Sequence, residues 1–345
     1  MAFSVPASGQ EDHGTAAPTE GKESKKEFNA SEFILDHVTD SHEWHILTTT
    51  KGKSVAIYLP VILYSKKKGF DIFSSKKLAH GHIYKGYRLE EEGDLKGKIV
   101  NADETGKVAE GKRPLDFSIT KTVVAMLCAA IIGLWIFLSL ARSYKKTGIS
   151  HPKGIQSFLE PVVLFIRDDV AIPNIGEHKY EKYMPYLLSV FFFILLNNIM
   201  GLIPFPPPFG GNVTGNVGIT FVLALCTFLI TQFSGNKAYW KHVFAAPGVP
   251  FWLLPIMIPV ELIGLISKPF ALMIRLFANI TAGHIIVLSL ICLIFIFNTV
   301  WVAPVSILFV VFMDCIELLV AFLQAYIFTL LSSLFIGMAT AEEHH

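Results

Sequence analysis

The apolar run at residues 250–296 contains charged side chains whose type and spacing suit ion transfer. Glu261, Lys268 and Arg275 lie seven residues apart, and Asn279 follows four residues later. At 100° per residue, these four positions share one stripe of a helix. A charge at the centre of a membrane helix costs about 2.5–3.5 kcal/mol on insertion scales, so the stripe must face protein or water. Arg275 is the hardest to explain, because a guanidinium cannot be neutralised by losing its proton.

The next apolar run, residues 299–340, adds further groups that titrate or form hydrogen bonds. Glu317 and Gln324 are seven residues apart and share one helix face. His284 lies nine residues beyond Arg275, which places it on the opposite side of its helix and about 13 Å further along. Because histidine and glutamate exchange protons while arginine keeps its charge, this combination predicts a proton path.

Most of these polar residues also have a purely structural interpretation. Asn279 and Gln324 are of the type that joins neighbouring membrane helices through hydrogen bonds. Lys268 is long enough to extend to the membrane surface, and Glu261 is a possible ion-pair partner for it. Neither interpretation accounts for a permanent charge at Arg275, so ion transfer is the stronger hypothesis.

Charge is distributed very unevenly along the 345 residues. In the first 115 residues 34 are charged, whereas only 23 of the remaining 230 are. An average soluble domain has about 25% charged residues, so the second part is too poor in charge for a soluble enzyme. The net charge of +1 gives no reason to expect a nucleic-acid partner. We therefore predict a multi-pass membrane protein with a soluble N-terminal head.

Apolar runs predict the membrane helices. Three runs are each long enough to span as a helix, at about 120–141, 184–204 and 217–233. Residues 155–167 have the spacing of an amphipathic helix at the membrane surface. Residues 250–296 and 299–340 would form helices of about 70 Å and 63 Å, against a hydrocarbon core of about 30 Å. They predict either additional spans or two strongly tilted helices.

The loops between these runs differ in charge. The loops after the first and third spans are basic, whereas the loop FPPPFGGNVTGN has no lysine or arginine. By the positive-inside rule the basic loops are cytoplasmic, which places the head outside the cytoplasm. Export of so long a head favours a signal sequence upstream of Met1.

The head divides into a tail and a small β-containing extension. Residues 1–27 are rich in Gly, Ser, Pro and charge, which predicts disorder, and residues 28–115 contain short strand-like runs. Pro60 is expected to make the first of these runs, residues 54–65, either an edge strand or a broken strand. The segment DHVTDSHEWH, residues 36–45, suits either a zinc site or a polar helix start near the membrane. We favour the helix start, and predict no metal and no cofactor.

Two segments carry a family resemblance. SKPFALMIRLFANITAGH, residues 267–284, and ELLVAFLQAYIFTLL, residues 317–331, resemble subunit a of F-type ATP synthases, the stator subunit of the Fo membrane motor. The run RLFANITAGH is highly specific, and the order of elements resembles the family across residues 116–345, the expected membrane domain. The head, residues 1–115, lies outside the resemblance.

The resemblance implies a fold and a set of partners. It implies an all-α polytopic membrane protein with five membrane-embedded helices and one amphipathic helix, the last two spans forming a long tilted hairpin. The hairpin would lie along a ring of c subunits, each with one membrane carboxylate, and the b subunits of the peripheral stalk would be further partners. The subunit would have no catalytic activity of its own. It would lie in a bacterial inner membrane, with its C-terminus in the cytoplasm.

The resemblance also implies roles for individual residues. Arg275 matches the essential arginine between two offset proton half-channels, and Asn279 matches the polar residue one turn along. His284 and Glu317 match the outer relay, with the two residue types exchanged relative to some bacterial members. The remaining matches are Gln324, beside the arginine, and Glu261 and Ser267, in the cytoplasmic half-channel.

Two positions depart from the family pattern. Ala271 stands where a hydroxyl is common, and Gly201 stands where some members have an aspartate, so the polar lining differs here. The alternative function, a secondary ion transporter, predicts internal repeats with broken helices in both halves. The sequence has no second copy of the Arg275 region, which favours the motor subunit.

Overall fold

The structure is a computed structural model of the chain. It describes residues 30–48, 54–65, 69–90, 95–102, 113–147, 154–203, 209–244, 250–297, 299 and 301–341. The predicted disordered tail, residues 1–27, lies outside the described residues. The described part has a small head built mainly of strands, followed by a domain of helices.

Short antiparallel strands follow helix α1 (Ala30–Val38) and form most of the head. The strands are β1 Glu43–Thr48, β2 Ser54–Tyr58, β3 Pro60–Ser65, β4 Gly69–Ser74, β5 Tyr87–Leu89, β6 Ile99–Asn101 and β7 Leu115–Asp116. They pair as three small sheets, with strand orders β1–β2, β4–β3–β7 and β5–β6. Leu59 separates β2 from β3, so the predicted break at Pro60 is confirmed.

Alternation along β3 and β4 builds the core of the head. Val61 and Leu63 on β3, and Phe73 on β4, are buried and pack with Leu78 and Tyr87. The intervening residues of β3 and β4 are half-buried or exposed. This period of two is expected of strands that have one buried face.

The head is joined to the first membrane helix by capping hydrogen bonds. The N–H of Thr122 donates to Asp40 Oδ1 (3.2 Å), and the N–H of Lys121 donates to the carbonyl oxygen of Ser41 (3.0 Å). The first N–H groups of a helix have no acceptor within the helix, so these contacts satisfy groups that would otherwise need water. The segment after α1 is thereby held at the start of the membrane domain.

A hydrogen bond between His42 and Asp116 holds the same segment from the other side. His42 is buried, and its Nε2 lies 2.9 Å from Asp116 Oδ2 on β7. Burial raises the pKa of the Asp116 carboxyl, but hydrogen bonds from His42 and Ser118 outweigh it, so the pKa lies below its ordinary value. The pair therefore joins the beginning of β1 to the last strand before the membrane.

The remainder of the chain is helical. Its helices are α2 Lys121–Thr147, α3 Ile155–Phe165, α4 Ile172–Ile175, α5 Tyr180–Leu202, α6 Val217–Ser234, α7 Lys237–Phe244, α8 Leu254–Phe297 and α9 Val302–Thr340. Five helices in the described part are long and apolar enough to cross a membrane, namely α2, α5, α6, α8 and α9. The predicted class, a helical multi-pass membrane protein with a small β-containing head, is confirmed.

The two long apolar runs each form a single helix. Helices α8 and α9 have 44 and 39 residues and pack against each other as a hairpin. At 1.5 Å per residue they measure about 66 Å and 58 Å, about twice the hydrocarbon core, so both must be strongly tilted. Pro259 and Pro269 are accommodated inside α8. The alternative of additional spans is therefore wrong.

Helix α3 is the predicted amphipathic helix. It continues beyond the predicted end through a π-helical turn, Ile166–Ala171, into α4. Leu159 is buried while Phe158 is 75% exposed, as suits a helix that lies at a membrane surface with apolar residues on more than one side. Helix α7 has no counterpart among the predicted elements, because its sequence KAYWKHVF has the basic character of a loop.

The core of the membrane domain lies between α5, α8 and α9. Phe191, Leu276 and Phe328 are fully buried there. On α9, Ser332 and Ser333 are also buried, and each hydroxyl donates to a carbonyl oxygen of its own helix. Small hydroxyl residues allow membrane helices to approach closely without leaving a polar group unpaired. The Ser332 hydroxyl lies 3.3 Å from that of Thr227 on α6, and the Ser333 hydroxyl lies 3.3 Å from the carbonyl oxygen of Val170, so these serines lie where α9 packs against α6 and the π-helical turn.

Candidate functional site

A histidine and a glutamate meet inside the α8–α9 hairpin. His284 Nδ1 lies 2.8 Å from Glu317 Oε1, and both side chains are largely buried, with exposures of 17% and 7%. The angle of approach is not that of a well-directed hydrogen bond, so neither atom has a hydrogen-bond partner among the described residues. The contact therefore brings together, inside the hairpin, an imidazole and a carboxyl group, two types of side chain that exchange protons.

Two glycines lie next to this pair, and one of them leaves space that the pair occupies. A Cβ atom at Gly283 would lie 2.9 Å from Glu317 Oε1, which real side chains do not tolerate. A Cβ atom at Gly201, at the end of α5, would lie 3.8 Å from His284 Cε1, which is ordinary contact. Gly201 is the position at which the sequence departs from the family pattern.

Asn279 and Gln324 form a second contact across the hairpin. Asn279 Nδ2 donates to Gln324 Oε1 at 3.0 Å, and Gln324 is almost completely buried. Glu317 and Gln324 thus both face α8, as their spacing of seven residues predicts. The bond between helices is also what the structural interpretation of these amides predicts.

Arg275 lies on the exposed side of α8. Among the described residues, its guanidinium has neither a hydrogen-bond partner nor an ion-pair partner. Ala271, Ala278 and Ala282 are exposed on the same stripe. Their spacing of seven and four residues is a sequence signal for a helix face lined by small side chains. Ala271 was considered alone in the sequence analysis, as a position where a hydroxyl residue is common, and so this face was missed. Small residues allow another helix to approach closely.

The other predicted residues of α8 lie nearer its N-terminus. The Ser267 hydroxyl donates to the carbonyl oxygen of Gly264 (3.0 Å), and Lys268 Nζ lies 5.7 Å from the centre of the Phe335 ring. The described structure contains no ion pair between Glu261 and Lys268. The structural interpretation of those two residues as partners is therefore wrong.

A small cavity opens beside Lys268. It is lined by residues of α6, α7, α8 and α9, among them the polar side chains of Thr227, Gln232 and Tyr239. Burial raises the pKa of the Tyr239 hydroxyl, and the negative charge of Glu261 adds to this effect, although a hydrogen bond with Gln232 opposes it. Glu261 is therefore close enough to interact with a side chain that lines the cavity.

Polar residues that the sequence analysis did not single out lie beside the His284–Glu317 pair. Thr214 Oγ1 donates to Asn198 Oδ1 (2.6 Å), and Asn198 Nδ2 donates to the carbonyl oxygen of Ala321, one turn after Glu317. Three buried polar atoms of this region have no hydrogen-bond partner among the described residues: Asn197 Oδ1, Asn212 Nδ2 and Thr281 Oγ1. Buried polar atoms need partners, and water is the natural one here. The sequence signals that could have identified these residues are the pair Asn197–Asn198 within an apolar run and the asparagines of the loop that follows it.

Some side chains of the acidic and histidine-rich segment of the head lie within the described structure. His42 is paired with Asp116, whereas the side chains of Asp36, His37 and His45 lie outside the described residues. Within the described ranges there is no group of three histidine, cysteine or carboxylate side chains that could hold a metal ion. Helix α1 ends at Val38 and strand β1 begins at Glu43, so this segment contains the end of a helix and the start of a strand, and the predicted helix start is wrong.

Comparisons with known proteins agree with this geometry. Residues 123–337 match the family model for the ATP synthase A chain, and residues 33–117 match a domain of unknown function (DUF8433). The chain is 51% identical over 236 residues to ATP synthase subunit a of Chloroherpeton thalassium, covering 67% of this chain and 69% of that one. It is 52% identical over 234 residues to ATP synthase subunit a 2 of Chlorobaculum tepidum, covering 66% and 64%. It is 48% identical over 236 residues to the Myxococcus xanthus subunit, covering 67% and 76%.

The matched region contains all seven residues predicted to carry ions. It overlaps all five helices of the described part that are long and apolar enough to cross a membrane, and includes the hairpin around Arg275 up to residue 337. The family model matches more than half of the chain. The chain therefore belongs to the ATP synthase A chain family.

Proposed function

We propose that this ATP synthase subunit conducts protons through two half-channels that meet a rotating ring of c subunits, and that Arg275 keeps the half-channels apart. The observation that carries this proposal is the exposed and unpaired guanidinium in the middle of α8. An isolated charge facing lipid is strongly disfavoured, so this face of α8 must meet a partner of opposite charge. A carboxylate on each c subunit is such a partner.

Arg275 acts as a fixed charge rather than a proton carrier. Its guanidinium stays protonated, so it attracts the ionised carboxylate of each arriving c subunit and favours loss of that proton. The exposed alanines on the same stripe allow ring helices to approach this charge. Because protons cannot pass through a group that does not release one, Arg275 also prevents direct flow between the half-channels.

His284 and Glu317 form the relay of the outer half-channel. Their contact at 2.8 Å, together with the unpartnered polar atoms nearby, supports a short chain of water molecules that ends at the pair. A proton enters on His284 or Glu317 and leaves toward the ring. His and Glu are exchanged between these two positions relative to some members of the family. The relay nevertheless retains one imidazole and one carboxyl group on facing helices.

The amides beside Arg275 have a positioning role. Asn279 and Gln324 form a hydrogen bond with each other across the hairpin, and neither forms one with the Arg275 guanidinium in the described structure. They fix the register of α8 against α9 at the level of the ring carboxylate. This arrangement leaves Arg275 free to interact with the ring.

Glu261 and Ser267 belong to the cytoplasmic half-channel. They lie on the part of α8 that precedes Arg275, which also contributes Lys268 to the cavity lined by Gln232 and Tyr239. The interaction of Glu261 with Tyr239 supports a polar route at this end of α8. The distance along the helix from Glu261 to Arg275 is about 21 Å, enough to separate this route from the outer one.

Partners and orientation complete the proposal. The chain is a multi-pass subunit of a bacterial inner membrane, it acts as a non-catalytic part of the complex, and it binds the c ring and the b subunits. The basic loops support a periplasmic head and a cytoplasmic C-terminus. The two separate family matches, to residues 33–117 and 123–337, support a division into an extension and a membrane domain at about residue 116.

The outer relay predicts the effect of Glu317→Gln. The amide cannot take up a proton, so passive proton flux through membranes stripped of the catalytic sector should fall about tenfold or more while the subunit still assembles. The flux is measured after a potential is imposed across vesicles. Glu181→Gln, which changes an exposed carboxylate at the start of α5, should leave the flux unchanged. Wild-type flux in Glu317→Gln vesicles would exclude Glu317 from the path.

A further inference from the structure

A tryptophan of the head is buried against the membrane domain. Trp44 on β1 is only 9% exposed and packs with Ala125 on α2 and with Val213 in the loop between α5 and α6. Aromatic side chains of this size bury a large area and fix the geometry of what they touch. The head therefore presses on the loop that follows α5.

Close contacts lead from this tryptophan to the proton relay. A Cβ atom at Gly211 would lie 2.7 Å from the Cβ of Ala125 and 4.0 Å from Trp44 Cη2, so the loop backbone lies close against Ala125 and beside the indole. The carbonyl oxygen of Gly211 lies 3.5 Å from the Cβ position of Gly201. Gly201 in turn faces the His284 ring. Only two glycines separate Trp44 from His284 along this line of contacts.

The same loop is bonded to the helices that carry the relay. The N–H of Gly210 donates to the carbonyl oxygen of Met200 on α5 (2.9 Å). Thr214 and Asn198 connect the loop to the carbonyl oxygen of Ala321, four residues after Glu317 on α9. A shift of the loop would therefore displace the backbone next to His284 and the part of α9 next to Glu317.

The head is itself fixed at the position from which Trp44 extends. Asp40 and Ser41 accept hydrogen bonds from the start of α2, and His42 pairs with Asp116. These contacts hold the three residues that lead to Glu43 and Trp44. The position of the indole is thus determined by the membrane domain and the head together.

We propose that Trp44 is a positioning residue of the outer half-channel. By pressing the Gly211 loop against Gly201, it holds His284 against Glu317 and so sets the outer proton concentration at which the relay is loaded. The head thereby becomes part of the proton path of this subunit. This inference rests on the proposed relay function of His284 and Glu317.

The expected effect follows from the charge of the pair. Two carboxyl groups interact with His284: Glu317, which it contacts, and Asp314, one turn earlier on α9, which also interacts with Glu317. Opposite charges in contact stabilise each other's charged form. When the loop relaxes, the contact loosens, and a higher outer proton concentration is needed to load the relay. The maximal rate under strongly acidic outer conditions changes much less, because the path itself remains open.

The test uses the complete ATP synthase in vesicles and measures the rate of ATP synthesis against outer pH. With Trp44→Ala, the pH of half-maximal rate should fall by about 0.5, which is about a threefold higher proton concentration. Trp44→Phe, which retains an aromatic ring, should restore most of the wild-type profile. Val213→Ala loosens the same contact from the loop side and should shift the profile in the same direction. Trp135→Ala, on the exposed side of α2, is the control and should leave it unchanged.

The outcomes separate this inference from the proposed function. A lower rate with an unchanged pH profile in both Trp44→Ala and Val213→Ala would mean that Trp44 only stabilises the fold, and the inference would be overturned. His284→Ala is measured in the same assay. If His284→Ala leaves rate and profile as in the wild type, the relay itself is wrong; if it alters them while Trp44→Ala does not, only the role of Trp44 is wrong.

Discussion

Replacing Arg275 with alanine is expected to abolish both ATP-driven proton pumping and proton-driven ATP synthesis, with rates at least about a hundredfold below the wild type. The guanidinium is exposed amid apolar residues and has no partner among the described residues. Its removal takes away the charge that favours proton loss from each ring carboxylate, and without it the two half-channels are no longer separated. Pumping is measured by the quenching of a pH-sensitive dye in vesicles, and synthesis by the ATP formed after an acid pulse.

Arg167→Ala serves as the control for this variant. Arg167 is also a partly exposed arginine of the membrane domain, but its Nε already donates to Asp168 Oδ1 at 2.7 Å. An exposed pair of this kind contributes little, so its loss should leave coupling close to the wild type. Full coupling in Arg275→Ala vesicles, with the subunit present in normal amount, would contradict the proposed mechanism.

The second large effect is expected at Gly337, near the end of α9. A Cβ atom at this position would lie 1.9 Å from the carbonyl oxygen of Asn174, which belongs to the backbone of α4. Backbone cannot rotate away as a side chain can, so Gly337→Ala must push α9 from α4 and disturb the packing around Ile175 and Ile336. We expect a destabilisation of about 3 kcal/mol or more and a marked loss of assembled subunit. Immunoblots of membranes and thermal denaturation of the purified complex measure both.

Gly264→Ala is the matched control for this change. A Cβ atom at Gly264 meets nothing within 4 Å, so the same substitution there should leave assembly unaffected. Alanine is also the better helix former, by about 1 kcal/mol in an exposed helix. If Gly337→Ala accumulates and denatures as the wild type does, α9 does not pack against α4 as described.

The membrane helices could be predicted because their signal is local. An apolar run of sufficient length specifies a span whatever lies beside it. The lengths of α8 and α9 were ambiguous from the residues alone, since a run of more than 40 residues is compatible with one tilted helix or with two spans. Helix α7 was not predictable, because its sequence KAYWKHVF is basic and has a short apolar face that becomes meaningful only beside α8.

The candidate site was predictable in part. Spacing on one helix correctly placed Glu317 and Gln324 on a common face, but it could not give their partners. That His284 meets Glu317 and Asn279 meets Gln324 depends on the register of two helices, which no local pattern fixes. The contact of Trp44 with Val213 joins residues far apart in sequence, so the proposed role of the head could not be predicted from the sequence.

The central claim is that the Arg275 face of α8 lies against the c ring, and disulfide cross-linking tests it most directly. The four native cysteines are first replaced, and a cysteine is then introduced at Ala278 and next to the membrane carboxylate of the c subunit. We predict that Ala278→Cys forms a cross-link with the ring under mild oxidation, whereas Leu134→Cys, on the exposed side of α2, does not. Cross-linking of Leu134→Cys with none from Ala278→Cys would contradict the account.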